Sequence, residues 1–425
     1  MNRKVWGDLF VVVLALAYPF HVEVGGLNLS VGDPWIAGGL IVLLLARMRR
    51  GLEIPPVLTL PLVLAVLAGA GLALHLLLGT GVSVSDGLVE IVKWLAGIAW
   101  ALVAFHAFRD DSGRRVTQFL VVSSFVALLA VAVGAVHVTT GTFSRARFPF
   151  DGPNIFGNYM VFAVAMLVAL ALRLRGTGRA AAWAGVPIML LGLVLSGSRG
   201  AILGLVAATL VTLAVAGLPR LLAGGGVPAF RLRRSMLPLV LILAVSGLTA
   251  AGAGVSALLA IEDSWIVERF TRTVQGDGPN VSIRQSLWGR AWELSERQPL
   301  LGIGYGQFPG QAEAVGLPRY VPHNTPLTMF TELGAPGLLV YALFVVWLVV
   351  TAGQAARRAA WVWPIFAFVL ATMAQSIVAN TENYRALWLA IALIATVTAV
   401  RRMPAQGDGS TSRTGSNLVD TSAVE

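Results

Sequence analysis

Three short runs in this 425-residue chain carry residue types suited to chemistry on phosphate: Ser196-Gly-Ser-Arg-Gly200, Ser282-Ile-Arg284 and Val321-Pro-His-Asn-Thr-Pro-Leu327. Each precedes or opens an apolar or amphipathic run, so each falls at the expected N-terminal end of a helix. Such an end leaves backbone N–H groups free and carries partial positive charge, and together with an arginine it holds phosphate. The same field disfavours imidazolium, so His323 should stay neutral and able to take a proton. His323 is therefore a candidate general base, Arg199 a candidate pyrophosphate ligand and Arg284 a candidate anion ligand. Asn324 or Thr325 would cap the helix after His323, with Pro326 in its first turn.

Plainer readings stand beside these. Arg284 could be a solvated arginine and Arg199 could snorkel to a lipid interface. A lone histidine is more often structural. Asn324, Glu332 and Tyr305 are the further candidates for lining the site. Tyr305 belongs to Leu301-Gly-Ile-Gly-Tyr-Gly-Gln-Phe308. This run lacks the Gly-Lys-Ser/Thr ending of a P-loop and reads either as a turn or as backbone that approaches a ligand. No carboxylate cluster accompanies the three runs, so metal-independent chemistry without a cofactor is expected.

The elements that must position these residues follow from composition. The chain is 56% hydrophobic and 12% charged, against roughly 25% charged in soluble domains. Apolar runs of membrane-crossing length recur throughout, which identifies an all-α polytopic membrane protein. The absence of cysteine excludes disulfides and thiol chemistry. A net charge of +10 could suggest nucleic acid, but the basic residues cluster at the ends of apolar runs, so the bilayer is the partner and nucleic acid is not. Met1-Asn-Arg-Lys-Val-Trp6 reads as the flank of a retained first span, because no clean cleavage site follows.

About twelve spans are expected, from a first near 6–20 to a ninth near 237–260, a tenth near 326–350 and a last near 384–400. With both termini cytoplasmic, the inner loops collect 20 of the 31 lysines and arginines, including Arg47, Arg109, Arg173, Arg220 and Arg357. This is the positive-inside pattern. All three chemical runs then lie on the outer face. The domain plan is a membrane domain over 1–403, containing an outer loop over 261–325 between spans nine and ten, and a disordered cytoplasmic tail over 404–425. Within the loop, 282–298 reads as an amphipathic helix capped by Ser282. Its apolar face comprises Ile283, Leu287, Trp288, Ala291, Trp292 and Leu294. Glu90 and Lys93 should pair within the fourth span.

These motifs resemble the O-antigen ligase and polymerase superfamily. Ser198-Arg-Gly-Ala-Ile-Leu-Gly204 is similar to its Ser-Arg-Gly motif. Arg284, Trp288 and Ala291 with Pro299-Leu-Leu-Gly-Ile-Gly-Tyr-Gly-Gln-Phe308 resemble its long-loop signature. Pro322-His-Asn324 with Glu332-Leu-Gly-Ala-Pro-Gly-Leu338 and Tyr341 resembles its His-Asn motif and the span after it. The resemblance is strong over about 150–345 and elsewhere rests on span count.

It implies a glycosyltransferase in a bacterial inner membrane with an extracytoplasmic active site. An undecaprenyl-diphosphate-linked glycan would be the donor and a glycolipid or glycan the acceptor. Arg199 and Arg284 would hold the diphosphate while His323 takes the acceptor proton, with inversion at the anomeric carbon. The single large outer loop favours ligation to lipid A core over polymerisation of repeat units. A lipid-linked oligosaccharide flippase is the alternative of another class. It would place polar residues at mid-membrane in two related halves.

Overall fold

The computed structural model describes residues 3–24, 27–47, 51–150, 152–222, 279–381 and 383–399. The helices are α1 (Arg3–Ala17), α2 (Asp33–Arg47), α3 (Thr59–Leu77), α4 (Val84–Arg109), α5 (Ser112–Thr139), α6 (Pro153–Arg173), α7 (Gly176–Ser196) and α8 (Arg199–Leu222). After residues 223–278, α9 (Pro279–Arg297), α10 (Phe308–Glu313), α11 (Thr325–Arg358), α12 (Trp363–Gln375) and α13 (Arg385–Ala399) complete the order. The architecture is helical as expected, with one short addition. An antiparallel hairpin, β1 (His21–Val24) with β2 (Leu27–Ser30), joins α1 to α2. Its alternating Val22, Val24, Leu27 and Leu29 are the period-two signal of a strand pair.

Among the described residues, seven helices are long and apolar enough to cross a membrane, and four shorter apolar helices accompany them. The ninth expected span and the tail lie outside the described residues. The hub is α6, whose apolar window is 89% buried where the other six reach 33–50%. From Phe156 to Ala171 every α6 residue is buried. The other helices turn side chains such as Val66, Leu77, Leu203 and Val346 outward, an apolar surface suited to lipid rather than water.

The shorter helices shape the site. At about 1.5 Å per residue, 13-residue α12 and 15-residue α13 rise about 20 and 22 Å, less than the ~30 Å hydrocarbon core. At the arginine-rich end α13 is level with α11, because Arg358 Nη1 donates to the Thr398 carbonyl at 3.4 Å, and α12 starts there too, directly after the short turn Ala360–Val362. They therefore stop short at the opposite end. Their irregular connection, Ser376 to Tyr384, lies in a recess there.

A glycine breaks α11. Gly334 has φ 68° and ψ −168°, a conformation available essentially to glycine alone. Residues 335–358 form a long span of about 36 Å, while 325–333 form a separate short helix. The expected tenth span is corrected accordingly: Glu332 lies on this short helix. Its carboxylate accepts from Gly306 N at 2.9 Å and Phe308 N at 3.0 Å. Ile303 N and Gly304 N donate to the Thr331 and Glu332 carbonyls. A Cβ on Gly302 would lie 2.4 Å from the Glu332 carbonyl carbon, and one on Gly306 would lie 2.6 Å from the Asp86 oxygen. The Gly-rich run is thus a close-packed clip between α11 and the start of α4, where Gln307 exchanges two hydrogen bonds with the Ser83 backbone.

The amphipathic helix begins at Pro279, three residues earlier than expected, so Ser282 is within its first turn and is not its cap. Leu287, Ala291 and Leu294 pack with Ile303, Phe308 and Ala312 in a small core of their own. Trp292 is exposed and departs from the expected face. Glu332→Ala is expected to leave two buried N–H groups without acceptors at about 1–3 kcal/mol each. A clearly lowered Tm of the detergent-purified protein would show this, and an unchanged Tm would mean the carboxylate does not hold the clip.

Candidate functional site

His323 occupies the position the sequence suggests, one residue before the helix cap. The Asn324 side chain accepts from Leu327 N at 2.9 Å, with Pro326 in the first turn. His323 has φ +54°, the one non-glycine residue with positive φ among those described. That backbone costs about 1–2 kcal/mol and turns the imidazole away from the course of a regular helix entry. Two tethers hold the strained turn. Trp288 Nε1 donates to the Pro322 carbonyl at 2.7 Å. Thr325 N donates to the Ser376 carbonyl, also at 2.7 Å.

Arg284 stands in the second turn of α9, beside His323. No carboxylate lies within ion-pair distance of it among the described residues. Its guanidinium is half-buried, which lowers its pKa, and the Tyr384 hydroxyl opposes that shift electrostatically. It stays charged at any working pH. Burial first, and the Arg284 charge second, hold the His323 imidazole below the ordinary histidine range. The neutral, proton-accepting form is therefore the resting one.

Tyr384 joins this pair to the recess. Asn158 Nδ2 on α6 meets Tyr384 Oη at 2.6 Å. Both line a cavity of about 240 Å³, with Lys93, Asn380, Asn383 and Arg385 among its polar walls. Lys93 is paired with Glu90 at 2.6 Å, as the sequence suggests. Arg385 is paired with Asp33 at 2.9 Å, and Trp100 Nε1 holds the other Asp33 oxygen at 2.6 Å.

Arg199 opens α8 after a tight turn in which Gly197 adopts φ 56° and ends α7. The terminal carbonyls of α7 are capped from the loop between α5 and α6: Arg145 Nε donates to the Ser196 carbonyl at 2.6 Å and Ala146 N to that of Leu195 at 2.9 Å. Ser198 packs on Gly157, where an added Cβ would lie 2.5 Å away. The Arg199 turn thus leans on α6 one residue from Asn158, at the same end as His323.

Two candidates sit elsewhere. Glu332 is buried and spends both oxygens on the clip. Tyr305 is buried among Leu64, Ala68, Ile91, Trp94, Met329 and Leu333. Both side chains are thus engaged by the protein's own packing. Arg290 and Arg319 are paired, with Glu293 and with Glu313 and Asp86. The sequence reading missed Asn158, Asn380, Asn383 and Tyr384. A signal existed in Asn380-Thr-Glu-Asn-Tyr-Arg385, an uninterrupted polar run between two apolar ones.

Residues 184–342 match the family described as O-antigen ligase. No curated protein sequence matches the chain.

The paired shifts have a testable sign. A base active when neutral loses activity as pH falls through its pKa, so the acid limb of kcat/KM is expected below the ordinary histidine value of about 6.5. Removing the neighbouring cation with Arg284→Gln is expected to move that limb to higher pH in the residual activity. A limb that does not move would mean that Arg284 and His323 are electrostatically independent.

Proposed function

We propose, for a chain whose residues 184–342 belong to the O-antigen ligase family, transfer of a glycan from undecaprenyl diphosphate to an acceptor hydroxyl at the outer face of a bacterial inner membrane. The chain is a membrane enzyme of the O-antigen ligase and polymerase type. The finer reading is ligation to lipid A core by an inverting, metal-independent reaction. Twelve spans with both termini cytoplasmic complete it. The observation that carries the reading is the juxtaposition of His323, held neutral in a strained turn, with Arg284, a half-buried cation without a carboxylate partner among the described residues.

In this mechanism the diphosphate of the donor lies against Arg284, with Arg199 at the rim adding a second guanidinium. Bidentate contact to phosphate oxygens suits arginine. The acceptor hydroxyl oxygen attacks the anomeric carbon from the face opposite the diphosphate while His323 accepts its proton. The bond from the anomeric carbon to the phosphate oxygen breaks, and undecaprenyl diphosphate leaves with the electron pair. The two guanidiniums stabilise the charge that develops on it, a preorganised electrostatic effect that is strong where water is excluded.

The test is a reconstituted assay with purified protein, lipid-linked glycan and EDTA, offered either lipid A core or a second donor molecule. Glycan on lipid A core is the expected product. Longer lipid-linked chains would replace ligase with polymerase, and glycan crossing the bilayer without transfer would favour a flippase. His323→Ala is expected to lower kcat by about 100-fold or more, in the range of a lost general base, with expression and Tm maintained. Full activity in that variant would remove His323 from the chemistry.

A further inference from the structure

The recess beside the reacting pair is a different kind of surface from the Arg284 site. Its two cations are already neutralised, Lys93 by Glu90 and Arg385 by Asp33. What remains is amide and aromatic: Asn158, Asn380 and Asn383 on one side, and Tyr18, Phe150, Tyr159 and Phe368 on the other. An electrically balanced wall gives a diphosphate little to bind.

One buried polar group points to a ligand. Asn158 is nine-tenths buried, and one end of its amide meets Tyr384 Oη. The other end, Oδ1, has no hydrogen-bond partner among the described residues. Arg385 Nε, also nine-tenths buried, is likewise without one. An orphaned acceptor and an orphaned donor on one cavity call for a ligand whose groups both donate and accept. Hydroxyls do both, and diphosphate oxygens only accept. The size agrees, since about 240 Å³ is below the roughly 300–1,000 Å³ of sites for drug-sized ligands. It suits one ring rather than an oligosaccharide. A pyranose ring also presents an apolar C–H face for the aromatic wall.

We propose that this cavity seats a single pyranose ring, the sugar joined directly to the donor diphosphate, with Asn158 and Asn383 reading its hydroxyls. The proposal rests on the donor assignment above and adds the part of the donor that this surface selects. Tyr384, shared between the cavity wall and Arg284, marks where sugar ends and diphosphate begins. The tie from Thr381 N to Thr325 Oγ1 at 3.2 Å keeps the wall beside the His323 turn. A ring in the cavity would thereby present its anomeric carbon toward the base.

The test compares binding of two probes to the full-length protein in detergent: undecaprenyl diphosphate alone, and the lipid-linked glycan extracted from native membranes. The wild type is expected to bind the glycan-bearing lipid more tightly. Asn158→Ala and Asn383→Ala should each weaken that binding on the order of ten-fold, as for a lost buried hydrogen bond, and leave the bare lipid unaffected. Arg284→Ala should weaken both. Asn383 lies half-buried on a loop, so its variant serves if Asn158→Ala folds poorly. Equal weakening toward both probes would assign the cavity to the diphosphate and overturn the proposal. Unchanged donor binding with a raised acceptor KM would assign it to the acceptor, and no effect in either variant would also overturn it. Wild-type protein that binds neither probe would sink the donor assignment itself.

Discussion

The site depends on how one buried threonine closes the backbone of two broken helices. A helix start leaves N–H groups without partners and a helix end leaves carbonyls without partners. Where such groups are buried, neither can be left to water. Thr325 N, at the start of α11, donates to the carbonyl of Ser376 at the end of α12. Its Oγ1 donates to the Ala379 carbonyl and accepts from Thr381 N. One residue thus satisfies three backbone groups of a connection that would otherwise be untenable there. Because His323 is two residues upstream, the same bonds fix the proposed base beside the recess. Asn380, Asn383 and Tyr384 follow on the connection they stabilise.

Charge pairing then separates Arg284 from several neighbouring cations. Lys93, Arg290, Arg319 and Arg385 each have a carboxylate within ion-pair distance, whereas Arg284 has none among the described residues. The exposed pairs contribute little to stability. Their effect is to neutralise neighbouring cations, so that in the proposed reading an anion would bind beside His323. The depressed imidazole is the other side of this arrangement: the cation that would hold the donor also keeps the base unprotonated.

The legible parts of the site were those written in local spacing. Gly197 and Arg199 follow an apolar run, and His323, Asn324 and Pro326 have the order of a helix entry; caps and turns of this kind depend on neighbours in sequence. The partners of Glu332 did not show, because its acceptor role is defined by N–H groups 24 and 26 residues away on a glycine run that looks like a simple turn. Asp33 and Arg385 are separated by most of the chain, and no periodicity connects them. The break at Gly334 had a signal in Gly334-Ala-Pro336, but continuous apolarity through Leu338 to Val350 suggested an unbroken span. The hairpin between α1 and α2 was hidden for a similar reason, its short alternation lying between two longer apolar runs.

The most direct measurement is a cryo-EM structure of the full-length protein in lipid nanodiscs with undecaprenyl diphosphate bound. The expected result is phosphate density in hydrogen-bonding contact with Arg284, facing the His323 imidazole at the mouth of the recess, and the polyprenyl chain running down the apolar outer surface of the helices. Phosphate density at the arginine-rich end of the bundle, beside Arg109 or Arg173, would contradict both the placement of the reacting pair and the assigned membrane side.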